Sequence, residues 1–119
     1  SYVEGLIQEL GLSYRILRLC GGDLGFAAAI TYDIEVYAPA QQKWMEVSSI
    51  SNFEDYQANR MQLRYRETDK KTALAHTLNG SALAFPRLLA ALMEFCQTEN
   101  GIQLPEPLAS YAGFTVLDA

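Results

Sequence analysis

Residues 31–49 read TYDIEVYAPAQQKWMEVSS, and this stretch decides the fold. From Thr31 to Tyr37 the chain alternates. Tyr32, Ile34 and Val36 fall on one side, and Thr31, Asp33, Glu35 and Tyr37 on the other, the period of a half-buried strand. Lys43 to Ser49 alternates as well, with Met45 and Val47 opposed to Trp44, Glu46 and Ser48. The connection Pro39-Ala40-Gln41-Gln42 is short and polar, so the two runs are expected to pair as an antiparallel hairpin.

Outward from the hairpin, Ser1 to Gly11 carries Val3, Leu6, Ile7 and Leu10 at helical spacing, with Gly11 a natural stop. Arg15 to Cys20 reads as a strand ending in the turn Gly21-Gly22-Asp23. Ser51-Asn52 is expected to cap a helix running to about Arg66, with Glu54 and Asp55 in its first turn. Residues 67–71 form a charged loop, and Ala73 to Leu78 reads as a short buried strand. A helix starting at Ser81 or Leu83 and ending near Gln97 buries Ala84, Leu88, Ala91, Leu92 and Phe95, with Pro86 in its first turn. The tail, with Pro105, Pro107 and Tyr111, is expected to lie over the surface. The fold class is α+β: an antiparallel sheet with helices packed on one face.

The 119 residues are half hydrophobic and 19% charged, the proportions of one globular domain or part of one. A net charge of −5 argues against broad nucleic-acid binding by this segment alone. No apolar run reaches membrane-spanning length and no signal-peptide layout opens the chain, so an intracellular protein without membrane contact is expected. Cys20 and Cys96 lack metal-ligand spacing and are read as reduced core thiols.

If the apolar side of the hairpin faces the helices, Asp33, Glu35, Glu46 and Ser48 share the other side. Such a face is either simply wet or a place where carboxylates gather around a cation, for which oxygen ligands suit Mg²⁺ arriving with phosphates. Arg87, inside the last helix's first turns, either snorkels to water or presents a guanidinium to a phosphate. Asn79 and Ser81 either cap that helix or address a small polar ligand. His76, the single histidine, has no acid nearby in sequence and reads as a structural residue. No Walker loop, dinucleotide fingerprint, nucleophile elbow or CxxC pair is present.

Three long blocks carry a resemblance. They are GDLGFAAAITYDIEVYAPAQ (22–41), EVSSISNFEDYQANRM (46–61) and HTLNGSALAFPRLLAALMEF (76–95), and they resemble the seryl-tRNA synthetase family along the whole chain. The resemblance implies a class II synthetase catalytic domain that activates L-serine with ATP and Mg²⁺ and transfers it to tRNA(Ser), in a cytoplasmic homodimeric ligase of protein biosynthesis. It further implies that Glu46, Val47, Ser48 and Ser49 form an ATP-contacting block, with Glu46 holding the metal-bound phosphates. Asn79 and Ser81 match the serine-recognition turn, and Arg87 the motif 3 arginine that lies against the γ-phosphate. Asp33 and Glu35 are left with support for the metal site or for neighbouring side chains.

Three positions depart from the pattern: Ala82 and Pro86 stand where glycine is frequent, and Asn59 where a basic residue is frequent. The N-terminal tRNA-binding arm, motif 1 and motif 2 have no counterpart in these residues. Residues 1–119 are therefore expected to be the C-terminal portion of such a catalytic domain, inactive alone. A non-catalytic synthetase-derived binding module and a paralogue charging a carrier protein remain the rival readings.

Overall fold

The structure is a computed structural model that describes residues 2–67 and 71–118. It is α+β, with antiparallel pairing throughout the strand registers described below. Two compact units divide the chain: Ser1–Ile16, Ile34–Ser48 and Ala82–Ala119 form the first, and Leu17–Asp33 with Ser49–Ser81 the second.

The hairpin is present. Strands β2 (Ile30–Ala38) and β3 (Lys43–Glu54) are neighbours in a four-stranded sheet, flanked by β1 (Tyr14–Arg18) and β6 (Thr77–Gly80) in the order β1-β2-β3-β6. Gln42, at φ 51°, closes the connection.

In the first unit, α1 (Tyr2–Glu9) ends before Gly11, whose φ of +68° stops the helix as expected. Ile7 and Leu12 are buried with Ile34, Val36, Ala38 and Val47 of the strands, and with Leu88, Ala91 and Leu92 of α3 (Phe85–Phe95). Helical and strand residues thus share one apolar core, and alternation along Ile34, Val36 and Ala38 is what delivers the strand side of it. Phe95, expected in the buried stripe, is 42% exposed at the helix's last residue. Ala84 is half-buried and serves as N-cap without a side-chain bond. The tail is more structured than a surface drape. Strands β7 (Gln97–Thr98), β8 (Gly101–Gln103) and β9 (Val116–Leu117) form a small sheet, and α4 (Glu106–Ala112) stops at Gly113, φ +78°.

In the second unit the helix expected from Ser51 to Arg66 is shorter, with strand at both ends: residues 51–54 continue β3 and Arg64–Arg66 form β4. β3 continues through Glu54 because β6 pairs with it, Ile50 opposite Gly80, Ser51 opposite Asn79 and Asn52 opposite Leu78. Tertiary pairing overrides the local capping signal. The register shifts between Asn52 and Glu54, where Glu54 takes φ 47° and donates its N–H to the Asn52 Oδ1 at 2.9 Å. Asn52 therefore does satisfy a main-chain donor, but at a bulge rather than a helix start. The helix that follows, α2, is only Tyr56–Met61, and Gln62 ends it in the left-handed region.

The strand expected from Ala73 to Leu78 is two strands, because the chain changes partners at Ala75-His76. β5 (Thr72–Leu74) pairs with β4 (Arg64–Arg66), and β6 pairs with β3. Leu78 is 75% exposed, not buried. His76 is exposed in the connection. The charged loop expected at 67–71 falls mostly on residues 68–70, outside the described residues. Cys20 is exposed and Cys96 half-buried, both free, so neither is a core thiol. No helix among the described residues is long and apolar enough to cross a membrane.

Candidate functional site

Glu46 and Arg87, forty-one residues apart, meet in the first unit. Two successive residues of β3 anchor the start of α3: the Ala84 N–H donates to the Val47 carbonyl, and the Arg87 Nη1 donates to the Glu46 carbonyl at 2.8 Å. The same Nη1 stands 3.6 Å from the Glu46 Oε1. Pro86 sits in the first helical turn, where its missing N–H leaves no bond unmade. The helix can therefore begin abruptly against the strand, and Arg87 is carried to the strand's edge.

Both side chains stay about half in water, 52% for Arg87 and 45% for Glu46. Glu46 occupies only part of the guanidinium fork, and its other oxygen is not engaged by Arg87. The guanidinium and the positive end of α3 act in the same direction, toward an anion. A carboxylate beside them suits a ligand that is itself an anion carrying a cation.

Val47 and Ser48 are both fully buried. The wet face expected to run from Glu46 to Ser48 therefore ends at Glu46, because β3 is covered on both sides one residue later. Ser48 is partnered within the fold. The sequence pattern treats serine as an outward residue, yet a satisfied hydroxyl is buried at little cost.

The gathering of three carboxylates around a cation, one of the two readings of that face, does not form among the described residues. Glu35 is bound to the Arg15 Nε, and the Arg15 guanidinium lies 4.6 Å from the centre of the Trp44 ring, which in turn packs on Tyr37 at 5.1 Å. That cluster accounts for Glu35 structurally. No group of three or more potential metal ligands occurs among the described residues. Asp33, in the second unit, has a buried Oδ1 without a hydrogen-bond partner.

The remaining sequence-selected residues lie in the second unit. Ser49 is half-buried on β3, next to the Ile50–Gly80 pair. Asn79 is exposed and opposite Ser51, so Asn79-Gly80 is strand rather than turn, and neither Asn79 nor Ser81 caps α3. Gly80 lets β6 close on Ile50: a Cβ there would approach the Ile50 Cγ1 to 3.1 Å. On the other side of the hairpin, the Ser51 and Thr31 hydroxyls bond at 2.8 Å.

Sequence reasoning missed Glu94. Its Oε2 accepts the N–H groups of Ala40 and Gln41 at 3.0 and 3.3 Å, and its Oε1 accepts the Gln41 side-chain amide at 2.5 Å. The Gln41 amide is the main cause holding this carboxyl below its ordinary range. Glu94 ties the far end of α3 to the hairpin connection, as Arg87 ties its start to β3. No local signal marks it, since the partners are more than fifty residues away. An apolar groove of about 440 Å³ in the first unit, lined by Leu6, Leu10, Phe85, Leu89 and Tyr111 among others, includes none of the polar residues above and no basic side chain to hold a phosphate.

Against known families, the tRNA synthetase class II core domain (G, H, P, S and T) matches residues 2–95. The chain belongs to this class II synthetase core-domain family. Within it, the chain is 55% identical over 114 residues to a serine–tRNA ligase of Akkermansia muciniphila, covering 95% of this chain and 27% of that protein. It superposes at a TM-score of 0.90, with 43% identity, on the crystal structure of seryl-tRNA synthetase from Pyrococcus horikoshii complexed with ATP, covering 98% of this chain and 27% of that one. For the cytoplasmic serine–tRNA ligase of Naegleria fowleri in complex with AMP the TM-score is 0.86 and the identity 33%, over 96% of this chain and 28% of that one. The chain thus spans just over a quarter of the length of these relatives.

Proposed function

We propose that residues 1–119 are the C-terminal portion of the catalytic domain of a serine–tRNA ligase, and that Arg87 and Glu46 receive the phosphates of ATP. The observation that carries the reading is their pairing: a half-exposed guanidinium, fixed to the strand by its bond to the Glu46 carbonyl, beside a carboxylate with an oxygen to spare. The similarity to synthetase structures complexed with ATP and with AMP supports a nucleotide as the ligand.

Mg²⁺ fits this donor set. The ion ordinarily takes one or two carboxylates and completes its shell with water and substrate phosphates, so a lone accessible Glu46 is a sufficient protein contribution. When bound, the ion neutralises phosphate oxygens. Arg87 binds the γ-phosphate and orients the triphosphate. Val47, Ser48 and Ser49 belong to the same ATP-contacting block, the buried Val47 and Ser48 as its scaffold. Asn79 and Ser81 recognise the serine substrate.

In the reaction, the serine carboxylate attacks the α-phosphate, a new P–O bond forms and the bond to the departing pyrophosphate breaks. A ribose hydroxyl of tRNA then takes the seryl group and AMP leaves. No protein nucleophile is required, so catalysis rests on placing charges where the phosphates need them. The family resemblance adds a homodimeric, cytoplasmic parent enzyme to this reading.

The test is a chimera in which this chain replaces the matching segment of the Akkermansia muciniphila ligase. Serine-dependent ATP–pyrophosphate exchange by the folded chimera is the expected result. A chimera that folds and binds ATP but exchanges no pyrophosphate with serine would contradict the proposal.

A further inference from the structure

We propose that the β4–β5 ribbon carries a docking surface for the phosphate backbone of RNA, formed by Arg64 and Arg66. The chain as a whole is acidic, at −5, yet residues 60–71 hold five of its nine lysines and arginines and only two of its fourteen acids. The positive charge is concentrated in a segment to which the ligase reading gives no task.

The register sorts that segment into two faces. Arg64 lies opposite Leu74, Tyr65 opposite Ala73 and Arg66 opposite Thr72. Side chains alternate along a strand, so Arg64, Arg66, Thr72 and Leu74 share one face, which contains no acid among the described residues. Glu67 belongs to the other, with Tyr65, whose hydroxyl donates to the Glu67 Oε1 at 3.2 Å. The ladder extends one step further through the Glu67 N–H to the Lys71 carbonyl at 2.8 Å, which places Lys71 on the Glu67 side.

Arg64 and Arg66 are exposed and have no carboxylate partner among the described residues. Arg15 and Arg87, by contrast, are each paired with a glutamate. Two unpaired guanidinium groups two residues apart on a strand sit about 6.8 Å apart at the backbone. That separation is comparable to the spacing of successive phosphates in a polynucleotide strand, and each fork can take a phosphate through two N–H groups. The acid-free face of a two-stranded ribbon suits contact with a backbone, which positions a strand without reading its bases. The choice of RNA among polyanions rests on the ligase reading.

The experiment measures binding of the 119-residue chain to a short fluorescein-labelled single-stranded oligoribonucleotide by anisotropy, at stepped KCl concentrations. The expected result for R64Q/R66Q is roughly tenfold weaker binding at low salt and a salt slope shallower by about 1.4, from about 0.7 per lost phosphate contact on a single strand. R18Q/K43Q removes the same charge elsewhere and is expected to leave the slope intact. R64K/R66K keeps the charge and is expected to retain most of the slope, which preserves the test if the glutamine variant misfolds. Equal losses in R64Q/R66Q and R18Q/K43Q would reduce the effect to net charge and overturn the proposal. Competition by polyglutamate as effective as by polyuridylate would assign the face to an acidic protein instead, and also overturn it. Pyrophosphate exchange by the chimera needs no RNA, so its failure and the failure of RNA binding are read separately.

Discussion

Replacing Arg87 by alanine separates a binding role from a structural one, because the two predict effects of different size. The structural contribution is bounded by what the side chain touches: one bond to the Glu46 carbonyl and one loose ion pair, with both groups about half exposed. Screened surface pairs of this kind contribute about 0.2–1 kcal/mol, and alanine is favourable in the helix that Arg87 occupies. Thermal unfolding should therefore fall by less than about 6 °C. Loss of a preorganised charge contact to a reacting group costs far more, about 10²–10³-fold in rate or roughly 2.7–4 kcal/mol. Serine-dependent pyrophosphate exchange by the chimera should drop by that factor in R87A. R87K should recover part of it, since the charge stays and the fork is lost. Exchange within twofold of the parent, at unchanged stability, would remove Arg87 from phosphate binding.

Four further outcomes are expected. E46Q in the chimera should shift the Mg²⁺ dependence of exchange to higher concentration with little change in the melting temperature; superimposable metal titrations would count against Glu46 as a ligand. G101A should destabilise the chain by about 3 kcal/mol in urea unfolding, because Gly101 has φ +120° and a Cβ there would collide with the Leu117 carbonyl oxygen. Glu94 is held below its ordinary range by the Gln41 amide, so its stabilisation is complete above that range and is lost as pH falls through the lowered value. The gap in melting temperature between the wild type and E94Q should therefore be full near neutrality and close below about pH 4. Thiol labelling of the folded chain should modify Cys20 first, since it is exposed while burial raises the Cys96 thiol; equal rates would contradict the difference in environment.

The hairpin was legible because its alternation is local: Ile34, Val36 and Val47 are buried where the period puts them. Gly11 and Pro86 marked the helix limits for the same reason, each acting through its own backbone. Where the sequence misled, a distant partner was responsible. Asn52 and Ser51 carry the chemistry of a cap, but β6 claims that segment for the sheet. Ser48 looks outward in the pattern and is enclosed, and Glu35 looks free and is held by Arg15. Of the candidate site, the residue types were readable in the pattern, and the Glu46–Arg87 meeting only through the family resemblance, since no periodicity encodes a contact across forty-one positions. The Glu94 anchor was invisible for the same cause.

β3 runs for twelve residues, from Lys43 past Glu46 and Ser49 to Glu54, with its only register shift against β6 between Asn52 and Glu54. Along such a ruler, deleting or inserting one residue between Glu46 and Ile50 would invert every side chain on one half relative to the other. The acid that faces Arg87 and the serines beyond it are thus tied to a fixed count of peptide units. A change of length there moves every residue on one side of it, where a substitution changes one.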